Sequence, residues 1–130
     1  MQLDDIRAFS ADQERGAWLD LLDPVTGRST GIRFKLAGPD SETQNRARLR
    51  LADDLSDVAD ADGRVSAEAR ERARLDSLAR CILDWEISEG DEPLPLTHAN
   101  AVRVLRASNW LQAEVDAFAS SRVHFWKDGN

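Results

Sequence analysis

The chain has 130 residues, of which 42% are hydrophobic and 32% charged, and its formal net charge at pH 7 is -7. This size and apolar content predict one domain with a single hydrophobic core. The negative charge disfavours binding to nucleic acid or anionic lipid, and the apolar stretches are far shorter than the roughly 20 residues that cross a bilayer.

Residues 1–15 form an N-terminal segment that mixes acidic and basic side chains. The segment lacks the basic start and apolar centre of a secretory signal peptide, so we expect a cytoplasmic protein. Cys81 is the only cysteine, which excludes an intrachain disulfide and a cysteine-based zinc site. Its apolar neighbours predict a buried structural thiol inside a helix.

Residues 16–37 carry the pattern of a β-hairpin. Two apolar-rich runs flank Asp23–Gly27, whose proline and glycine suit a turn. In the second run Ile32, Phe34 and Leu36 alternate with basic residues and therefore share one face. An isolated ribbon is marginal in water, so we expect it to rest on helices or to pair with another chain. Its free edge leaves a homo-oligomer open.

Residues 40–128 are predicted to be helical. Ser41 and Gln44 have the spacing of a capping box at the start of a first helix that ends near Ala59. A second helix begins after the cap Ser66 and continues through Trp85 as the central core helix.

Two shorter helices complete the helical part. Thr97 is placed to cap the third helix, and Asn109 to cap a last helix whose apolar stripe reaches Trp126, with Gly129 just beyond. The sequence thus predicts an α+β fold, mainly α, as a single domain over residues 1–130, with an N-terminal β-hairpin followed by about four helices.

The segment Asp60–Ser66 resembles the middle of a calcium loop. A twelve-residue calcium loop also needs ligands at both ends, but Val58 and Ala69 occupy those positions. We interpret the segment as an acidic turn between helices, with Gly63 at positive φ and Ser66 capping the next helix. No metal site is expected.

The sequence offers no convincing active site. The two histidines, His98 and His124, lie in different predicted helices, and nucleophile-elbow, phosphate-loop and dinucleotide motifs are absent. The arginine-rich stretches 46–50 and 70–74 have acidic neighbours at helical spacing, which predicts ion pairs along solvated faces rather than a nucleic-acid surface. We therefore predict a protein without enzymatic activity or cofactor.

Aromatic side chains are the best candidates for partner binding. Of the four tryptophans, Trp85 is expected in the core, whereas Trp110 and Trp126 occupy positions where a large ring is often only partly covered. Partly exposed aromatic rings are typical anchors of protein interfaces. The candidate partner-binding residues are Trp18, Trp110, Phe118 and Trp126, although a structural packing role is the favoured interpretation of each tryptophan.

Several short motifs, taken in order, resemble those of the tail assembly chaperones of long-tailed bacteriophages and prophages. The resemblance covers roughly residues 16–126. Family members have a short hairpin, a Gly-x-Asp-Ser turn before the first helix, a Trp that closes the long middle helix, and a Thr-x-x-Asn segment before the next helix. The matching residues here are Trp18-Leu19-Asp20, Asp23-Pro24-Val25-Thr26-Gly27, Gly31-Ile32, Gly38-Pro39-Asp40-Ser41, Cys81-Ile82-Leu83-Asp84-Trp85, Pro95-Leu96-Thr97-His98-Ala99-Asn100-Ala101 and Phe125.

The resemblance implies a non-enzymatic protein of the bacterial host cytoplasm that binds the long, largely helical tape measure protein. It would keep that protein soluble, help to recruit tail tube subunits and leave before the virion is complete. Some members are also made in a longer, frameshifted form. The main alternative is a structural head–tail connector or neck protein, which would remain in the particle. A calcium-responsive module around residues 60–66 and an unrecognised hydrolase are less favoured alternatives.

Overall fold

The computed structural model of the protein describes residues 1–126 and confirms a mainly helical α+β fold. Four α-helices follow the hairpin, as predicted. In chain order the elements are α1 (Leu3–Arg15), β1 (Ala17–Leu22), β2 (Ser29–Leu36), α2 (Glu42–Val58), α3 (Ala67–Arg80), β3 (Ile82–Glu86), β4 (Ser88–Glu89), β5 (Glu92–Pro93), α4 (His98–Arg106), α5 (Asn109–Ala119) and a 3₁₀ helix (Arg122–Phe125).

The predicted hairpin is formed by β1 and β2, which pair in antiparallel register with Leu19 opposite Phe34. Its turn is built as the sequence predicts. The Asp23 carboxylate accepts hydrogen bonds from the backbone N–H groups of Val25 and Thr26 at 2.8 and 3.0 Å. Gly27 takes a φ of 72°, which a residue without a Cβ adopts at little cost.

The prediction that the second helix continues through Trp85 is wrong. The helix α3 ends at Arg80, and β3 pairs with β2 so that Trp85 lies opposite Phe34 in a three-stranded sheet of order β1-β2-β3. A short apolar run fits a helix and a buried strand equally well, and here the run completes its hydrogen bonds on the edge of β2. Cys81 is buried, but at the end of α3 rather than inside a helix.

A helix, α1, precedes the hairpin in the N-terminal segment of residues 1–15, for which the sequence pattern predicted no element. The backbone N–H of Gln2 donates to the Asp5 carboxylate at 2.7 Å and closes the first turn of α1. Of the thirteen residues of α1, only Gln13 is buried.

The predicted helix caps at Ser41, Ser66 and Thr97 are confirmed. The hydroxyl of each accepts the backbone N–H three residues later at 3.1 Å. The capping box at Ser41 is only half formed, because the Gln44 side chain turns away and donates to the backbone carbonyls of Ala37 and Ala119, both at 2.8 Å.

The last helix differs from the prediction at both ends. Its cap is Ser108, one residue before the predicted cap, and α5 ends at Ala119. Phe125 belongs to the following 3₁₀ helix and Trp126 comes directly after it. Gly129, the predicted end signal, lies outside the described residues.

One hydrophobic core lies between the sheet and the helices α3, α4 and α5. Its fully buried members are Phe34, Leu36, Leu105 and Val115. In α2, Ala47 is the one buried residue, and Leu51 and Leu55 are half-buried. Across residues 1–126, no helix has the length and hydropathy that a bilayer crossing requires.

Candidate partner-binding surface

The four residues predicted to bind a partner do not form one cluster. Trp18 lies on the sheet face opposite the core, where the Arg33 guanidinium sits 4.4 Å from the centre of its ring. Arg33 also pairs with Asp20 and Glu86 at 2.7 and 3.2 Å. Trp18 is thus half-buried and partly covered by a cation–π contact within the chain.

Trp110 and Phe118 pack against the edge of the core and are half-buried. The Phe118 ring stacks on His124 with centroids 4.1 Å apart and meets Phe125 edge-on at 5.7 Å. These contacts hold the 3₁₀ helix against α5, so Phe118 has a structural role within the chain.

Trp126 is the most exposed of the four residues, with 43% of its surface accessible. Its ring meets Phe9 of α1 edge-on, with centroids 4.9 Å apart. Between Trp126 and α1 lies an open cavity of about 350 Å³, which we call the α1 cleft; its apolar lining residues are Met1, Ile6, Ala8, Phe9 and Trp126.

Apolar side chains in and beside the α1 cleft are open to solvent. Among the residues that line the cleft, Met1 is 93% exposed, Ile6 51% and Trp126 43%. Single exposed apolar residues are ordinary on protein surfaces, but a contiguous group around a cavity is typical of a binding site. The α1 cleft is therefore the strongest candidate for contact with another molecule.

Among the described residues that line the cleft, every charged side chain is acidic. Its charged side chains are Asp5 and Asp12, two turns apart on α1. Asp5 accepts the N–H of Gln2, and Asp12 pairs with Arg15 beside the cleft. The site thus combines an apolar floor with an acidic border.

Both walls of the α1 cleft are fixed to the turn formed by residues 38–41. The Gln13 side chain is fully buried; its Oε1 accepts the Asp40 N–H at 2.6 Å and its Nε2 donates to the Asp40 carboxylate at 3.0 Å. Arg122, four residues before Trp126, donates to both oxygens of that carboxylate at 2.6 and 2.9 Å. Hydrogen bonds from Arg122, and then from Gln13, hold the pKa of Asp40 below its ordinary value of 3.8.

Trp126 was among the predicted residues, whereas its contacts on α1 were not predicted. Gln13 escaped notice because a buried polar residue leaves no apolar signal. A signal for the rest of the cleft was present, because Leu3, Ile6 and Phe9 recur every three residues and so lie near one another on a helix surface.

The Asp60–Ser66 segment forms the turn that we predicted. The Asp60 side chain accepts the backbone N–H groups of Asp62 and Arg64, both at 2.9 Å, and Gly63 has a φ of 79°. Among residues 1–126, no three His, Cys, Asp or Glu side chains are grouped so that they could hold a metal ion.

Neither the two histidines nor the cysteine line the α1 cleft. The exposed His98 ring is 3.1 Å from an Asp76 oxygen, and His124 stacks on Phe118 as described. Burial raises the pKa of the Cys81 thiol to about 11, which keeps it protonated and unreactive at neutral pH.

Four of the six arginines in the stretches 46–50 and 70–74 form the predicted ion pairs along their helices. The nitrogen–oxygen distances are 3.2 Å for Arg46–Glu42, 3.1 Å for Arg50–Asp54, 3.6 Å for Arg72–Glu68 and 2.8 Å for Arg74–Glu71. Such pairs neutralise the arginines locally, which is the arrangement expected of solvated helix faces.

No protein-family model, curated protein or solved structure matches this chain. Its functional interpretation therefore depends on its own residues and on the order of its motifs.

Proposed function

We propose that the protein is a tail assembly chaperone of a long-tailed phage or prophage. In this role it acts in the cytoplasm of the bacterial host without enzymatic activity. It binds the tape measure protein, keeps it soluble and aids the assembly of the tail tube around it.

The α1 cleft is the observation that supports this proposal best. A chaperone for a long helical protein must cover apolar stripes that would otherwise aggregate, and it must remain soluble itself. The exposed apolar surface at Ile6 and Trp126 meets the first need, and a net charge of -7 meets the second.

The motif order gives independent support. The turn of residues 38–41, which matches the family's Gly-x-Asp-Ser motif, anchors both walls of the cleft through Asp40. The Thr-x-x-Asn motif caps α4, where the Thr97 hydroxyl accepts the Asn100 N–H and the Asn100 side chain donates to the Pro95 carbonyl at 3.0 Å. These two motifs therefore have definable structural roles, whereas Trp85, matched to the Trp that closes the family's middle helix, lies in β3.

Co-expression with the tape measure protein encoded nearby tests the proposal. We expect the tape measure protein to move from the insoluble to the soluble fraction and to co-purify with this chain. An insoluble tape measure protein, with nothing bound to the purified chain, would refute the proposed function.

The alternative of a head–tail connector or neck protein makes a different prediction for the finished particle. A chaperone leaves before the virion is complete, whereas a connector stays. Mass spectrometry of purified virions distinguishes the two roles, and stoichiometric copies of this chain in mature particles would contradict the chaperone.

A further inference from the structure

We propose that the α1 cleft binds an amphipathic helix whose apolar stripe is bordered by lysine or arginine residues seven positions apart. This inference rests on the proposed function for the identity of the partner, the tape measure protein. The apolar and charged character that we infer for the partner helix is argued from the residues that line the cleft.

The apolar part of the cleft has the form of a groove for a helix. Ile6 and Phe9 lie on one side, on successive turns of α1, and Trp126 stands opposite with its ring edge-on to Phe9. An amphipathic helix binds such a groove by inserting apolar side chains at three- and four-residue spacing. Burial of the exposed halves of Ile6 and Trp126 would supply the main stabilisation.

The acidic border, formed by Asp5 and Asp12, favours positive charge beside the apolar stripe of the partner helix. Asp5 and Asp12 are seven residues apart in one helix, which places them about 10.5 Å apart along its axis. A partner helix that lies alongside α1 presents residues seven positions apart at the same spacing. Cationic residues at those positions would complement both carboxylates; Asp12 already pairs with Arg15, but a carboxylate has acceptor sites for a second donor.

The same charges disfavour a second copy of this chain as the occupant. Two copies that met through their clefts would bring the Asp5 and Asp12 carboxylates of both copies into one interface, and each copy carries a net charge of -7. Like charges at an interface oppose association. A basic amphipathic helix has the opposite charge and the same apolar requirement.

Two synthetic peptides test the charge requirement on the full chain. Both carry the same leucine stripe; one has lysines seven positions apart beside it, and the other has glutamates there. We expect the lysine peptide to bind at least about tenfold more tightly in fluorescence anisotropy, and its binding to weaken as salt is added. Equal affinities would overturn the charge requirement.

Substitutions within the cleft test its location. Ile6→Ser should weaken binding of the lysine peptide about tenfold, whereas Leu49→Ser on α2 should leave it unchanged. Ile6 and Leu49 are a matched pair because both are helical and similarly exposed, at 51% and 62%. Equal binding by the two variants would place the peptide elsewhere and overturn the proposal.

A second pair of variants isolates the acidic border. Asp5→Asn with Asp12→Asn removes two charges but keeps oxygens that can accept the same hydrogen bonds, and it should abolish the preference for the lysine peptide. Asp53→Asn with Asp57→Asn, on exposed positions of α2, makes the same change in net charge and should preserve the preference. Circular dichroism melts verify that all four proteins fold. If the control pair lost the preference equally, net charge rather than the cleft would be responsible.

Two further results separate this inference from its alternatives. A wild-type dimer in analytical ultracentrifugation that Ile6→Ser converts to monomers would identify a second copy as the occupant and overturn the proposal. In co-expression, a tape measure protein that binds the wild type and Ile6→Ser equally would refute the cleft but leave the chaperone intact. Peptide binding at the cleft without capture of the tape measure protein would refute the chaperone alone.

Discussion

Gln13 connects α1 to the rest of the molecule by polar contacts rather than by apolar packing. It is the one buried residue of α1, and its backbone carbonyl accepts the N–H of Gly38 at 3.0 Å. A Cβ on Gly38 would lie 2.7 Å from the Cβ of Gln13 and 2.8 Å from its Cγ. Gly38 is therefore required for the close approach of the turn to the Gln13 side chain, and its φ is not in the left-handed region.

Gly38→Ala should loosen α1 from the turn of residues 38–41. The added methyl group overlaps a fully buried side chain, so we expect a loss of about 1–3 kcal/mol in the free energy of unfolding. Because the overlap is local, hydrogen exchange at the α1 amides should accelerate more than exchange in the sheet. Urea denaturation and exchange mass spectrometry measure the two effects.

Gly31→Ala is the contrasting variant. Nothing lies within 4 Å of a Cβ built on Gly31. Any loss of stability would therefore come from the φ of 81°, which a residue with a Cβ adopts less readily. Gly31→Ala should lower stability by about 1 kcal/mol without selective exchange in α1. If Gly38→Ala left α1 exchange unchanged, Gln13 would not be the anchor of that helix.

At the scale of elements, local signals determined some boundaries and left others open. The caps at Ser66 and Thr97 follow from short-range hydrogen bonds, so their sequence pattern was sufficient. The identity of β3 depends on the available edge of β2, which is distant in sequence from Ile82. A pattern of apolar residues cannot report such a partner, and for this reason the same run suggested a helix.

The α1 cleft was only half predictable for a related reason. Trp126 could be named as a candidate from the sequence because it is a large aromatic residue at a position where such a ring is often only partly covered. Its position against Phe9 depends on the hydrogen bonds between Arg122, Asp40 and Gln13, which link three separate segments. The sequence pattern shows each segment but not the contacts between them.

Trp85→Ala tests the role of β3 in the core. Trp85 is 7% exposed, packs edge-on against Phe34, and donates its indole N–H to the Leu94 carbonyl at 2.8 Å. We expect a loss of about 3–5 kcal/mol, because a large cavity forms and a buried acceptor loses its partner. Urea denaturation measures the change.

Trp126→Ala provides the comparison for Trp85→Ala. A ring that is 43% exposed leaves a smaller cavity, so this variant should cost clearly less stability while it weakens binding at the α1 cleft. Equal losses of stability for the two variants would mean that Trp126 is a core residue and that the cleft is part of the fold.

On the scale of the whole molecule, net charge and the α1 cleft have opposing effects on self-association. Exposed apolar side chains around Ile6 favour contact between copies, whereas the charge of -7 keeps copies apart at neutral pH. The sequence pI is about 4.8, so the repulsion falls as the solution becomes moderately acidic. Solubility of the free chain should therefore depend on pH even where the fold is unchanged.

Light scattering between pH 7 and pH 5 should reveal this opposition. As carboxylates become protonated, the net charge approaches zero and the repulsion between copies weakens. Copies can then associate through the exposed α1 cleft, so scattering should rise toward the pI of about 4.8. Ile6→Ser should scatter less than Leu49→Ser at the acidic end, because both remove an exposed apolar side chain but only Ile6 lies in the cleft. A wild type that stays monomeric at its pI, or variants that scatter equally, would show that the α1 cleft is not the adhesive part of the surface.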